Sequence, residues 1–301
     1  MKFLLLVSSL LVTACSGFID KQAANSTLRI LEKSQLAAQR QPDLELAREA
    51  MPAGIIQLEA FALAYPSQRA FARMHADALC QYGVGFVFDD WEDADLLGRT
   101  EEAARLAPRV VQLARACIDA NLALLPPAWS TARRQGGAAW DAMIAKATRA
   151  DVPALLWITT ADAVQLAIDP MKGIDKLGSI TVALERSIAL APGFRESAAE
   201  ILLGTLEAGR SQFLGGADGS ARFAQARAQL GDSALMPRVM FARGTAVARK
   251  DHALFTSTLQ AALAVDLTPW PDRRLANELA RRKAARYLAA IERLIPAAPT
   301  P

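Results

Sequence analysis

A helix that stops at a proline is encoded by residues 183–192, which read ALERSIALAP. In and before this segment, apolar side chains recur at intervals of three or four: Leu177, Ile180, Leu184 and Ile188. That spacing places them on one face of an α-helix. Pro192 ends the helix because it has no backbone N–H and a fixed φ. The segment therefore predicts a helix that packs through one apolar face.

The same pattern recurs elsewhere in the chain. Stripes of small and aliphatic residues also stop at Pro66, Pro126 and Pro269. Residues 183–192 and 259–266 are similar to the second helix of a tetratricopeptide repeat. The separations of roughly 60 to 80 residues between stops far exceed the repeat period of about 34. We therefore predict an all-α fold, a compact α-solenoid of about four degenerate tetratricopeptide-like hairpins with extra helices.

The amino-acid composition favours the same fold class. Hydrophobic residues make up 52% of the 301 positions, which is enough to bury a core, but aromatic residues make up only 6%. Alanine, the best helix former, is abundant, and no segment alternates strictly between polar and apolar residues. We expect a helical content above about 60% and no sheet.

Composition also narrows the classes of function. Lys and Arg number 34 against 31 Asp and Glu, and the two signs are interleaved, so nucleic acid is not an expected partner. Two histidines and three cysteines offer little material for a metal site or a histidine-dependent catalytic triad. We expect a protein that is not an enzyme and that has no cofactor and no metal.

The N-terminus has the features of a lipoprotein signal peptide. The apolar run over residues 3–12 follows Met1-Lys2 and is too short for a membrane span, which needs about 20 residues. Residues 12–15, Val-Thr-Ala-Cys, resemble a bacterial lipobox, which predicts lipidation of Cys15. An ordinary signal peptide with a chance cysteine is the alternative. Ser16 follows where an aspartate would retain the protein at the inner membrane, so the resemblance implies an outer-membrane anchor and a domain facing the periplasm.

These features divide the chain into four parts. We predict a lipoprotein signal peptide over 1–14, a lipidated linker over 15–22, one α-helical tetratricopeptide-like domain over 23–295 and a disordered tail over 296–301. In an oxidising periplasm Cys80 and Cys117 could form a disulfide. Both also fall on apolar helical faces, where a small buried thiol needs no further role. The sequence leaves these two alternatives open.

Two charged clusters stand out. Residues 89–95, DDWEDAD, place five carboxylates in seven positions, and such a run could bind a hard cation such as calcium. The spacing does not fit a calcium-binding loop, so we predict a solvated acidic turn before the next helix. The last helix carries basic residues that could meet an acidic partner or lipid headgroups, although we predict a solvated face. These residues are Arg273, Arg274, Arg281, Arg282, Lys283 and Arg286.

An ordered set of landmarks resembles the TRAP transporter T-component family, also called TatT. The match spans about residues 41–294 and follows the lipobox. The landmarks are LELAREAMP at 44–52, Tyr65-Pro66, Asp77-Ala78, Phe86-Val87, Asp89-Asp90, ADVPALLW at 150–157, LERSI at 184–188, Pro192, Gly215-Gly216, Phe223 and Ala226. One departure concerns residues 160–162, Thr-Ala-Asp, where the family has a further aromatic. If that aromatic lines the family's ligand chamber, the chamber of this protein is more polar.

The resemblance implies a lipid-anchored protein that pairs with the solute-binding P-component of a tripartite ATP-independent periplasmic (TRAP) transporter. It also implies an internal channel for an apolar or amphipathic solute, and a homotrimer is compatible with it. The resemblance implies no catalytic residue in this sequence. Cys15 is the one functional residue that it implies by position, as the cysteine that carries the lipid.

Large apolar side chains near a helix start and a helix end are the candidate channel lining, although ordinary core packing would also explain them. The candidates are Phe86, Phe88, Trp91, Leu155 and Trp157. The alternative function is a tetratricopeptide-like protein-interaction scaffold of the cell envelope that binds no small molecule.

Overall fold

The computed structural model describes residues 22–296. It is 83% helical, and the part of the chain that it describes contains no strand, which confirms the all-α prediction. Whether the hairpins form a tetratricopeptide-like solenoid stays a prediction, as does the division of the chain into four parts. The signal peptide, the lipidation at Cys15 and most of the C-terminal tail lie outside the described residues.

The helices follow one another through short connections. In chain order they are α1 (22–39), α2 (Leu44–Ala64), α3 (Arg69–Tyr82), α4 (Asp89–Leu96), α5 (Thr100–Leu122), α6 (Pro127–Gln135), α7 (Gly137–Ala145), α8 (Val152–Ile168), α9 (Pro170–Gly173), α10 (Leu177–Leu190), α11 (Phe194–Leu214), α12 (Ser220–Leu230), α13 (Met236–Phe241), α14 (His252–Leu263), α15 (Arg274–Ala289) and α16 (Ile291–Leu294). A π-helical segment, Gly83–Phe88, joins α3 to α4, and a second one, Ala242–Ala246, extends α13.

Local sequence accounts for where several helices begin and end. The Asp43 carboxylate accepts hydrogen bonds from the backbone N–H groups of Glu45 and Leu46, so it caps α2 as its position indicates. Asp151 occupies the corresponding position before α8, but its carboxylate accepts from the backbone and hydroxyl of Thr148 instead. The Asp151 carboxylate therefore stabilises the turn before α8 and does not cap the helix.

The described residues form four core clusters, the smallest of which joins α4 to α5. The largest cluster lies among α3, α5, α6, α7 and α8, and a second lies among α13, α14 and α15. A third, centred on Leu156, Leu184 and Leu203, connects α8, α10 and α11. Helix α6 continues through Arg133, Arg134 and Gln135 up to Gly136. It forms because Trp129 is buried against Trp140, with the two ring centroids 5.6 Å apart.

A disulfide joins Cys80 of α3 to Cys117 of α5, which answers the question that the sequence leaves open. Both residues are buried, and their Cα atoms lie 5.1 Å apart. The Asn121 side-chain amide donates to Cys80 Sγ over 3.2 Å and to the Cys117 carbonyl over 2.9 Å. The disulfide therefore lies inside the largest core cluster and holds two of its helices together.

The acidic residues of α4 and the basic residues of α15 face each other. Asp89 is 1% exposed, and its carboxylate lies 2.6 Å from Lys283 Nζ and 2.5 Å from an Arg282 guanidinium nitrogen. Arg286, also buried, reaches Asp89 over 2.8 Å and Glu92 over 2.5 Å. We call these five residues the α4–α15 charge cluster. It joins positions nearly 200 residues apart in the chain.

The predictions of a solvated acidic turn and of a solvated basic face are therefore wrong for the residues of this cluster. The acidic run is not a solvated turn, because the helix continues through it from α3 to α4. The basic face is not solvated at Lys283 or Arg286, because the two helices bury these cations against Asp89 and Glu92. The attraction between buried opposite charges offsets the cost of removing them from water only when their geometry is good. The sequence does not show which charged segments will contact each other.

The charge cluster changes the ionisation of its members. Burial by itself would raise the pKa of Asp89, but the charges of Lys283, Arg286 and Arg282 hold that pKa well below its usual range. The pKa of Glu92 is lowered for the same reasons, with burial opposing the shift. Both carboxylates are therefore ionised at neutral pH, and the cluster pairs full charges.

Candidate functional site

Among the candidate lining residues, Trp157 is the one that contacts both a carboxylate and a guanidinium. It lies on α8, and its indole Nε1–H donates to Asp77 Oδ1 of α3 over 2.8 Å. Arg195, near the start of α11, donates from Nη2 to the same Asp77 oxygen over 2.5 Å. Three helices that are distant in sequence thus meet at one carboxylate.

The Arg195 guanidinium also covers two aromatic rings. Its carbon lies 5.0 Å from the ring centre of Trp157 and 5.5 Å from that of Phe194, distances typical of cation–π contacts. The side chains of Arg195 and Asp77 are 26% and 21% exposed, and both rings are partly exposed. We call Asp77, Trp157, Phe194 and Arg195 the Trp157 site. It presents apolar rings, a cation and a carboxylate that solvent can reach.

A strained turn of backbone carries Arg195 into this site. Arg195, Glu196 and Ser197 have φ values of 48°, 56° and 58°, so three consecutive residues with side chains are left-handed. This conformation costs roughly 1–2 kcal/mol for each such residue. The strain persists only because surrounding contacts enforce it, and such strain is typical of functional sites.

Several contacts hold the left-handed turn. The Ser197 hydroxyl donates to Gln229 Oε1 over 2.6 Å, and a Glu200 carboxylate oxygen accepts from the Gly193 N–H over 3.0 Å. Glu196 pairs with Arg273 near the start of α15 over 3.1 Å. Burial raises the pKa of Glu196, and Arg273 offsets only part of this effect. The turn is therefore fixed from both α12 and the segment before α15.

The backbone conformation of the turn can be tested with a pair of variants. Glu196→Gly and Glu196→Ala both lose the ion pair with Arg273, so their difference reports on the backbone alone. Because glycine adopts the left-handed region without steric cost, we expect the glycine variant to be more stable by about 1 kcal/mol. Urea denaturation of both variants measures the difference.

Gly209 provides the control on the same helix. It lies in the right-handed part of α11 with open space where a Cβ would point. Gly209→Ala should raise the free energy of unfolding by about 0.5–1 kcal/mol. Alanine is thus expected to be the better residue at position 209, whereas glycine is expected to be the better residue at position 196. If alanine were also the better residue at position 196, the turn would not be left-handed in solution.

The other candidate lining residues are placed differently. Phe86 is buried between the guanidinium groups of Arg48 and Arg282, whose carbons lie 5.6 Å and 5.9 Å from its ring centre. Leu155 is fully buried in the largest core cluster. Phe88 and Trp91 are partly exposed and stack with their ring centres 5.5 Å apart. Of the five, Trp157 alone belongs to the Trp157 site, and a ligand role for any of them stays a prediction.

The polar residues at 160–162 do not add a free charge near Trp157. Asp162 is 3% exposed, and its carboxylate lies 2.5 Å from an Arg133 guanidinium nitrogen on α6. The Thr160 hydroxyl donates to the Leu156 carbonyl within α8. These two side chains are thus satisfied by the protein itself.

Asp77 and Arg195 are the site residues that sequence reasoning missed. They are separated by 118 positions, and neither belongs to a recognisable motif of binding chemistry. Asp77 enters the family resemblance only as a landmark. No local signal points to Arg195, because its orientation comes from a turn without glycine at its left-handed positions 195–197.

Comparison with known proteins gives one family. The model of the family TAtT, described as TRAP transporter T-component, matches residues 40–294. No curated protein shows significant similarity to the chain. Within residues 22–296, no helix combines the length and the hydropathy that crossing a membrane requires. The family match covers most of the chain, including every residue of the Trp157 site.

Proposed function

The chain belongs to the TRAP transporter T-component family, and from this we propose that it binds an apolar or amphipathic solute for such a transporter. The observation that carries the proposal is the Trp157 site. Two partly exposed rings lie beside a guanidinium and a carboxylate where α3, α8 and α11 meet. Aromatic surface with a few placed polar groups is the usual composition of a small-molecule site.

The proposed partner is the solute-binding P-component of the transporter. We further propose that Cys15 carries the lipid, that the anchor is in the outer membrane and that the domain faces the periplasm. The lipid and the outer-membrane anchor are proposed from the lipobox-like residues 12–15 and from Ser16, and a homotrimer is added because the family resemblance is compatible with it. The family is one of transporter components and not of enzymes, and we assign no catalytic role to any residue.

A second candidate function is a protein-interaction scaffold of the envelope that binds no small molecule. Exposed apolar side chains on the surface favour this alternative, because such groups commonly mark protein contacts. Met171 on α9 is 85% exposed, and Phe213 and Leu214 at the end of α11 are 86% and 77% exposed. The two candidates differ in whether a solute accompanies the purified protein.

Purification from the native envelope tests the proposal. The wild-type chain should fractionate with membranes and carry a P-component, and extraction with organic solvent should release an apolar or amphipathic compound that mass spectrometry identifies. The Cys15→Ala chain should leave the membrane fraction. Trp157→Ala should weaken solute binding by about 1–3 kcal/mol if the ring contacts the solute, whereas Trp157→Phe keeps a ring and should lose less.

The outcomes separate the two candidates. Recovery of a partner protein without any extractable solute would favour the scaffold. Equal solute content in the wild type and in a stably folded Trp157→Ala chain would remove the Trp157 site from solute binding.

A further inference from the structure

Helix α1 presents one exposed face that carries positive charge. Its members are exposed and recur at helical spacing, so they lie on the same side of the helix. Glu32 is the one acidic residue of positions 22–39, and its place in the helix lies outside this face. Ile30, the largest apolar side chain of the face, is 67% exposed. We call the face the α1 face, and it consists of Ser26, Arg29, Ile30, Lys33, Ser34 and Ala37.

The two cations of the α1 face have no carboxylate partner in the described part of the chain. The Arg29 guanidinium donates to a serine hydroxyl of the same helix over 3.2 Å. By contrast, Arg40 just after α1 lies 2.5 Å from Asp272, and the Gln68 side chain donates to Asn25 over 3.2 Å. These two contacts tie both ends of α1 to the rest of the protein. The helix is therefore held in place while its two cations face solvent.

The proposed lipid anchor is close to this helix in the chain. Residues 16–21 separate Cys15 from Gln22, the first described residue of α1. The seven Cα–Cα steps between these two residues span at most about 25 Å. Helix α1 is itself about 27 Å long. A lipid on Cys15 therefore keeps the start of α1 within about one helix length of the bilayer surface.

We propose that the α1 face lies on the membrane, with Arg29 and Lys33 against anionic lipid headgroups and Ile30 in the interfacial region. This inference rests on the proposed function, because the lipid of Cys15 brings the membrane to the helix. Helices that lie in a membrane interface combine basic side chains with apolar ones. Each cation near an anionic lipid surface strengthens such a contact about 5-fold.

The anchor explains how so small a surface is sufficient. Two cations and one isoleucine would bind a bilayer only weakly from solution. A tether converts this contact into an intramolecular one, with a high effective concentration of lipid. A single tether limits the distance between the domain and the membrane, whereas a second contact along α1 also fixes the orientation. The Trp157 site would then keep one direction relative to the membrane.

The test couples the mature chain, which begins at Cys15, to vesicles through a maleimide lipid. Cys80 and Cys117 are bonded and buried, so Cys15 is the one free thiol of the three cysteines. Amide hydrogen exchange of residues 22–39 is compared on vesicles with and without phosphatidylglycerol. Ala24 is the one buried side chain of α1, so its amides should exchange fast without a membrane. We expect exchange about 5-fold slower or more on the anionic vesicles, and less slowing at high salt.

Variants of the two cations show whether charge causes the protection. Arg29→Gln/Lys33→Gln should remove most of it, roughly 5-fold for each cation. Arg29→Lys should retain it, because a lipid surface attracts the charge and does not require the guanidinium fork. Arg105→Gln/Arg109→Gln is the matched control, since it removes two exposed cations at the same spacing from α5. It should leave exchange in α1 unchanged, and thermal unfolding shows that each variant is folded.

The outcomes separate this inference from the proposed anchor. Slower exchange on anionic vesicles that the paired Gln variant of α1 loses and the α5 control keeps supports the membrane contact. Equal exchange on both kinds of vesicle would overturn the contact and leave the anchor standing, because maleimide coupling replaces lipidation by the cell. Protection without vesicles that rises with protein concentration would also overturn it, since a second copy would then cover the α1 face. Native chain without lipid on Cys15 would overturn the anchor and this inference together.

Discussion

Replacing Asp89 by asparagine should lower the free energy of unfolding by about 3–5 kcal/mol, the usual cost of removing one partner from a buried ion cluster. Asp89 is 1% exposed and receives contacts from Arg282, Lys283 and Arg286. The variant leaves these three cations with less negative charge, while α15 still buries Lys283 and Arg286. Urea denaturation followed by circular dichroism measures the loss.

Asp95→Asn is the control for this prediction. Asp95 belongs to the same acidic run but is exposed, so its loss should change the free energy of unfolding by less than about 0.5 kcal/mol. If the two variants were equally stable, α4 and α15 would not be joined by buried charge in solution.

The same cluster predicts sensitivity to acid. The pKa values of Asp89 and Glu92 are lowered in the folded protein, so the unfolded chain takes up protons first as pH falls. The stabilisation is complete above the ordinary carboxyl pKa values of about 3.9 and 4.3 and is lost as pH falls through the lower values of the folded state. The wild type should lose stability steeply below about pH 4, and Asp89→Asn should show a shallower slope.

Removing the disulfide is the second change with a large expected effect. The Cys80–Cys117 bond closes a loop with a sequence separation of 37 residues, and loop-closure entropy gives such a bond a stabilisation of about 4 kcal/mol. The Cys80→Ala/Cys117→Ala chain should unfold at a correspondingly lower urea concentration. The double variant avoids leaving a lone thiol in the core.

A reductant provides the control for the disulfide. Dithiothreitol should lower the stability of the wild type toward that of the double variant, and it should leave the double variant unchanged. A wild type that is insensitive to reductant under unfolding conditions would show that the two sulfurs are not bonded in solution.

The helical architecture was accessible from the sequence because its causes are local. Apolar spacing over residues 177–190 gives α10, and the carboxylate of Asp43 caps α2. Residues 89–95 are an exception, because their high charge density suggested a solvated turn. These residues are instead helical and partly buried against α15. The local sequence does not show that a helix nearly 200 residues away will pack against them.

The candidate site was also predictable only in part from the sequence. Trp157 could be named from the sequence, because a large aromatic in a helix that resembles a family landmark is a recognisable signal. Its partners Asp77 and Arg195 could not be named, since they lie on α3 and at the start of α11. Their approach to Trp157 depends on the tertiary packing that brings α3, α8 and the start of α11 together.

By itself the sequence determined the class of this protein: helices with one apolar face, the ends of α2 and α10 just before Pro66 and Pro192, and an ordered set of landmarks that the family match over residues 40–294 confirms. Only the tertiary structure decided that Cys80 bonds to Cys117, that the acidic run of α4 pairs with α15, and that a left-handed turn sets Arg195 over Trp157. Helix formation follows from residues a few positions apart, whereas the free energy of a buried charge or a strained turn depends on groups that the fold brings from elsewhere.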